Sequence, residues 1–149
     1  MQTADNVAKW FLVNNKARGL GTNVEYITNL KLQKLLYYAQ GCHLAIYGKP
    51  LFNEPIVAWT YGPVVESVYR TYKRFGDFGI SEFDTCTDSF SDDEKKILIG
   101  TDETFGQFSA WKLVEMTHNE APWKETPRNE IIPVDKIKAY FEKNYVEED

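Results

Sequence analysis

The chain has 149 residues, 43% of them hydrophobic and 15% aromatic, which excludes a disordered polymer and lets one domain bury a core without help from a disulfide or metal. Its net charge is −5, unevenly spread: residues 1–80 hold nine Lys/Arg against five Asp/Glu, and residues 81–149 hold eight against seventeen. An acidic second half argues against a broad nucleic-acid surface, which needs several cations on phosphate, and suits a basic partner or simply a solvated surface.

Thr3 to about Arg18 is predicted as a first helix, with Thr3 as cap, Asp5 in the first turn, and Val7, Trp10 and Phe11 along one face. Gly19 and Gly21 are expected to end it, and Asn23–Ile27 to connect into the segment on which the chain is organised, NLKLQKLLYYAQGCHLAIYG. There Leu32, Leu35, Leu36, Ala39, Cys42, His43 and Ile46 recur at spacings of three and four, the core face of a helix. Further apolar rows cover most of the remaining surface, so this helix, 29–47, must be enclosed by other elements. Thr28 suits its N-cap and Gly48 the left-handed position past its end.

Ile56–Tyr61 is short, β-branched and aromatic and reads as a strand or extended arm. Gly62 and Pro63 are then expected to open a third helix running to Gly76, since proline at the first helical position loses no hydrogen bond. Residues 77–90 read as a loop, with Phe83–Thr85 a candidate short strand. Ser91 and Glu94 have capping-box spacing for a helix to Phe105, Ser109 caps another to His118, and Ala121–Trp123 is expected as a turn. A last helix spans about Val134 to Asn144, and residues 145–149 read as a frayed acidic tail. The expected fold is thus mainly α: one domain over 1–149, core about 5–142, with about six helices around the buried central one.

The groups that catalysis requires are few. Cys42 and His43 are neighbours on a helix, so their side chains diverge by about 100° and cannot form a nucleophile–base pair. His43 lies on the core row as a satisfied buried histidine, and His118, in a last helical turn, is better placed to bond a free carbonyl than to catalyse. No metal-ligand spacing, phosphate loop or nucleophile elbow occurs, so neither catalytic residue, metal nor cofactor is expected. Cys42 and Cys86 have no disulfide or zinc spacing and fit a reducing compartment. Without a secretory leader or an apolar run long enough to span a bilayer, a cytoplasmic protein is expected. Binding has better material: the helical row Lys31, Lys34 and Tyr38; the rigid aromatic stretch holding Trp59, Tyr61, Pro63 and Val64; and a second corner at His118, Pro122 and Trp123.

The stretch KLQKLLYYAQGCHLAIYGKPLFNEPIVAWTYGPVVESVYR resembles the signature of the SocA-like, or Panacea, antitoxin domain, a phage-associated family once of unknown function. SAWKLVEMTHNEAPW is similar to that family's second motif, at the expected distance. The resemblance carries over to Lys31, Gln33, Lys34, Tyr37, Gly41, Pro50, Leu51, Trp59, Tyr61, Gly62, Pro63, Val64, His118, Pro122 and Trp123. It implies a mainly helical protein that neutralises a cognate toxin by binding it, the toxin being encoded beside it. It also leaves an alternative, known from the SocA branch, of an adaptor delivering the toxin to a AAA+ protease. A phage–host interaction protein and an enzyme using His118 stand further behind; nucleic acid and membrane are not expected as partners.

Overall fold

In the computed structural model, which describes residues 1–18 and 25–146, helix α1 (Ala4–Arg18) leads to the long helix α2 (Asn29–Tyr47). The Thr3 hydroxyl accepts from the Asn6 amide at the start of α1. The expected stop at Gly19 and Gly21, and the start of the following connection, lie outside the described residues.

Helix α2 is enclosed as its apolar circumference requires. Thr28 accepts from the Lys31 amide, and Gly48, at φ 74°, closes the far end. Every residue from Leu32 to Gly41 is buried. Leu32, Leu35 and Leu36 have no exposed surface, and burial of each contributes about 2 kcal/mol. Ile46, expected inside, is 53% exposed, because it lies in the last turn, where neighbouring elements no longer cover the helix.

The enclosing elements are helix α4 (Asp92–Phe105), helix α5 (Ala110–His118), helix α7 (Val134–Asn144), α1 and a short helix α3 (Glu66–Tyr72), all packed against α2. Helix α4 starts with the Ser91/Glu94 capping box and α5 with the Ser109 cap, as their sequences predict. Helix α7 packs directly on the backbone of α2. A Cβ at Gly41 would collide with the Phe141 ring, so glycine there lets an aromatic side chain lie directly on the α2 backbone.

Between α2 and α3 the chain departs from the sequence reading. Gly62 and Pro63 do not open a helix: strand β1 (Val57–Trp59) turns through Thr60 and Tyr61 into antiparallel strand β2 (Gly62–Val64), with Trp59 opposite Gly62 and Val57 opposite Val64. Ala58 faces Pro63 between those pairs, so the missing proline N–H lies on the side away from β1 and costs no ladder bond. The other edge of β1 is also held, since the Ala58 amide donates to Glu130 O at 2.9 Å and Asn129 N to Ala58 O at 2.7 Å. Helix α3 follows from Glu66 and tightens into a 3-10 turn, Lys73–Phe75.

Residues 83–85 form no strand. Ala121–Lys124 is a one-turn helix, α6, with Pro122 in its first turn, where a missing amide proton is harmless. Tyr145, read as the start of a frayed tail, instead packs against Phe141 and Phe105 and bonds a buried carboxylate; residues 147–149 lie outside the described residues.

Candidate partner-binding groove

The polar residues of α2 are not a solvated face; they hold the chain that leaves and returns to the helix. Gln33 accepts from the Val65 amide at 2.9 Å and donates to Asn29, whose own amide donates to Tyr69 O at 3.0 Å. One face lower, Gln40 accepts from the Leu51 amide at 2.8 Å and donates to Phe52 O at 2.8 Å. His43 pairs through Nδ1 with Lys49 O at 2.7 Å. Asn29 and Gln33 thus fix α3 and the end of the hairpin against α2, and Gln40 and His43 fix the chain from Lys49 to Phe52, all through main-chain atoms.

The hairpin is clamped from behind by the stretch Thr117–Trp123. Trp123 Nε1–H donates to Trp59 O at 2.7 Å and His118 Nε2–H to Thr60 O at 3.1 Å. The imidazole stacks on the indole at 4.0 Å, and the Arg128 guanidinium lies 3.6 Å from the same ring. Two planar groups at that height cannot share a face, so Trp123 is held between them. Burial lowers the His118 pKa, the charges of Lys34 and Arg128 add to that, and the Thr60 carbonyl opposes it. His118 is therefore a neutral donor to a carbonyl at neutral pH.

Behind the clamp, Glu120 inserts a carboxylate into the core at 3% exposure. It accepts from Tyr37 at 2.9 Å, from Tyr38 at 3.0 Å and, by a short bond, from Tyr145. Burial raises the pKa of this carboxyl despite the three hydroxyl donors. Burial, with the Glu120 charge adding, also pushes the Cys42 thiol up to about 12, so it is protonated and unreactive at neutral pH.

In front of the hairpin lies a groove of about 900 Å³. Its walls come from the first turns of α2 and α5, the hairpin tip, and α3 with its 3-10 extension. Trp59 meets Tyr69 edge to face at 4.9 Å, and Tyr61 meets Trp111 in the same way at 5.4 Å. Lys34 forms the floor with no exposed surface, its ammonium donating to Pro63 O at 3.1 Å. Desolvation lowers its pKa to about 7. Gly62 permits this approach: it sits at φ 112°, and a Cβ there would lie 2.6 Å from Lys34 Cε and 2.9 Å from Thr117 Oγ1. Gly62→Ala is expected to cost about 2 kcal/mol or more in urea denaturation, from the left-handed backbone and the overlap together.

The residues singled out from sequence thus separate. Tyr61 is exposed, and Trp59 and Lys31 are half-buried, Lys31 donating to Gly106 O at 2.7 Å. Lys34, Tyr38, Pro63, Val64 and Pro122 are buried, so the row Lys31, Lys34, Tyr38 is not an outer surface. Its last two members face inward because neighbours surround α2 on nearly every side. His118 and Trp123 are engaged with the hairpin backbone. Sequence reasoning missed Glu120 and Trp111. Glu120 stands inside the motif THNEAPW, and Trp111 opens the amphipathic turn after the Ser109 cap, which was the available signal for each.

These features define a mainly helical domain in which two separated stretches, 31–64 and 117–123, dock on each other to hold a hairpin at the rim of a groove. The chain belongs to the antitoxin SocA-like, Panacea domain family, whose match covers residues 32–124. It is 36% identical over 109 residues to Antitoxin SocA of Caulobacter vibrioides (strain NA1000 / CB15N), an alignment taking in 65% of this chain and 58% of that protein. The chain therefore spans less than two thirds of that relative's length. No solved structure gives a significant match. Among the described residues, no helix is long and apolar enough to cross a membrane.

Proposed function

We propose that this chain is an antitoxin of a toxin–antitoxin pair that silences its toxin by direct binding in the cytoplasm, without catalysis, the toxin being encoded by the adjacent gene. The observation that carries this reading is the aromatic rim of the groove: Tyr61 is 56% exposed and Trp111 61% exposed, yet the two are fixed against each other. Large rings already held in place lose little entropy when a partner covers them, and such residues dominate binding energy at protein interfaces. Family membership and the likeness to Antitoxin SocA support the same reading. Tyr61, Trp111, the open edge of Trp59 and the flank around Lys31 are the proposed contacts, while His118, Pro122 and Trp123 position the hairpin from behind.

Silencing a toxin takes roughly nanomolar affinity, about −12 kcal/mol, over a patch of roughly 800 Å². The test is co-expression with the product of the neighbouring reading frame, which should relieve growth arrest and yield a complex in gel filtration. Trp111→Ala should weaken that complex by about 2 kcal/mol with thermal stability unchanged, since the side chain is outside the core. Persisting arrest with no complex would refute the reading. A toxin half-life that shortens in the presence of this chain would point to delivery to a protease instead.

A further inference from the structure

We infer that the groove takes an acidic segment of the partner polypeptide, placing a carboxylate beside Lys73 and above Lys34 while an apolar side chain lies against Tyr61 and Trp111. This rests on the antitoxin reading for the identity of the partner, and on the groove alone for its chemistry.

The charged side chains lining the groove are Lys34, Lys73 and Asp77. Lys73 is exposed and makes no ion pair among the described residues. Lys34 has three donors, and the described residues supply an acceptor for one, the Pro63 carbonyl. With no exposed surface it acts on the groove by charge from beneath Gly62, not by contact. The floor is thus a buried amine, about half protonated near pH 7, whose donors the fold satisfies only in part.

The backbone adds to that field. Helix α2 begins in the groove through Thr28, Asn29 and Leu30, and α5 through Ala110 and Trp111. Both ends carry a hydroxyl cap, but neither helix has an acidic residue in its first turn, so no side-chain charge within either helix offsets its positive end. Against two lysines and two helix ends stands one carboxylate, Asp77, at the rim. On a chain of net charge −5, this is a local positive basin, and it orients an acidic strand or helix end by charge complementarity. A basic segment would have only Asp77 to meet. A nucleotide shares the anionic chemistry, but Trp59 is already met by Tyr69 and Tyr61 by Trp111. Neither pair is parallel, so the groove offers no slot between two facing rings for a base to enter.

The full-length chain should be titrated by amide and indole NMR with a short Leu/Glu peptide, its Leu/Gln counterpart, its Leu/Lys counterpart and ATP. The Leu/Glu peptide should shift Thr28, Asn129 and the Trp111 indole, and bind about tenfold more tightly than the Leu/Gln peptide. Lys73→Glu and Trp111→Ala, both exposed, should each weaken that binding about tenfold without changing the rest of the spectrum. Equal binding of the Glu and Gln peptides, preference for the Lys peptide, ATP at these residues, or no shifts in the groove would each overturn the inference. Toxin relief that survives Lys73→Glu would likewise sink it while leaving the antitoxin reading intact. Groove binding of the acidic peptide without any relief of toxicity would do the reverse.

Discussion

Glu120→Ala should lower the unfolding free energy by about 3 kcal/mol or more, the largest loss expected from any one side chain outside the aliphatic core. Removing the carboxylate leaves the hydroxyls of Tyr37, Tyr38 and Tyr145 without their shared acceptor. The first two have no exposed surface and cannot turn to water, and each buried unsatisfied donor costs about 1–3 kcal/mol. Tyr37→Phe or Tyr38→Phe, by contrast, removes a donor from a carboxylate that keeps two others, and should cost about 1 kcal/mol. The carboxyl also gives a pH signature. Its folded pKa is raised, chiefly by burial, so the folded state holds this proton more tightly than the unfolded chain does. Its stabilising contribution is full below the ordinary glutamate value and fades as pH rises through the raised one. Urea denaturation should therefore show the parent losing stability relative to Glu120→Gln across that window. A constant difference would mean that the carboxyl titrates normally.

The same cluster is assembled from distant parts of the chain and leaves no local signal in the sequence. Helix α2 was legible from end to end because a capping threonine, a terminal glycine and a helical period all agree over Thr28–Gly48. The Ser91/Glu94 capping box and the amphipathic spacing of Val134–Asn144 were equally local signals. The strand at Val57–Trp59 was legible from its β-branched and aromatic residues, but its return as a hairpin was not. Thr60 and Tyr61 lack the Asn-Gly or Asp-Gly signature of a two-residue turn, and Gly62-Pro63 has the composition of a helix start. What decides between them is tertiary: Trp123 and His118 capture the carbonyls of Trp59 and Thr60, and residues 129 and 130 pair with the far edge of β1. Helical spacing placed Lys34 and Tyr38 on one row but could not say which rows would be covered. A glutamate in sequence likewise carries no sign that three tyrosines, two of them more than 80 positions away, will enclose it. The site was therefore read in its parts, as rigid aromatic corners, and missed in its joinery.

Lys34→Met should make the protein more stable at pH 6 and lose that advantage as pH rises. An unbranched thioether of similar length fills the space under Gly62 without bringing a charge. In the parent, desolvation alone lowers the folded pKa from the ordinary 10.5 to about 7. Below pH 7 the lysine is protonated in both states, and the fold bears the whole cost of burying a cation. Between about 7 and 10.5 the unfolded chain binds the proton that the folded chain has released, so parental stability climbs with pH. The full swing is on the order of several kcal/mol. At the alkaline end the order should reverse, because neutral Lys34 still donates to the Pro63 carbonyl and methionine cannot. Denaturation profiles of the two proteins that run parallel from pH 6 to 10 would show that the ammonium is not desolvated. His118 gives a second reading, since the Lys34 charge is one of the influences lowering its pKa: the imidazole should titrate higher in Lys34→Met, by NMR of its ring protons. The carbonyl of Pro63 does not explain why a cation is kept at this cost, for Gln33 and Gln40 satisfy neighbouring main-chain groups with neutral amides. A charge that the fold can only tolerate is best accounted for by the groove above it, where an anionic partner would hold Lys34 protonated and recover part of its burial cost.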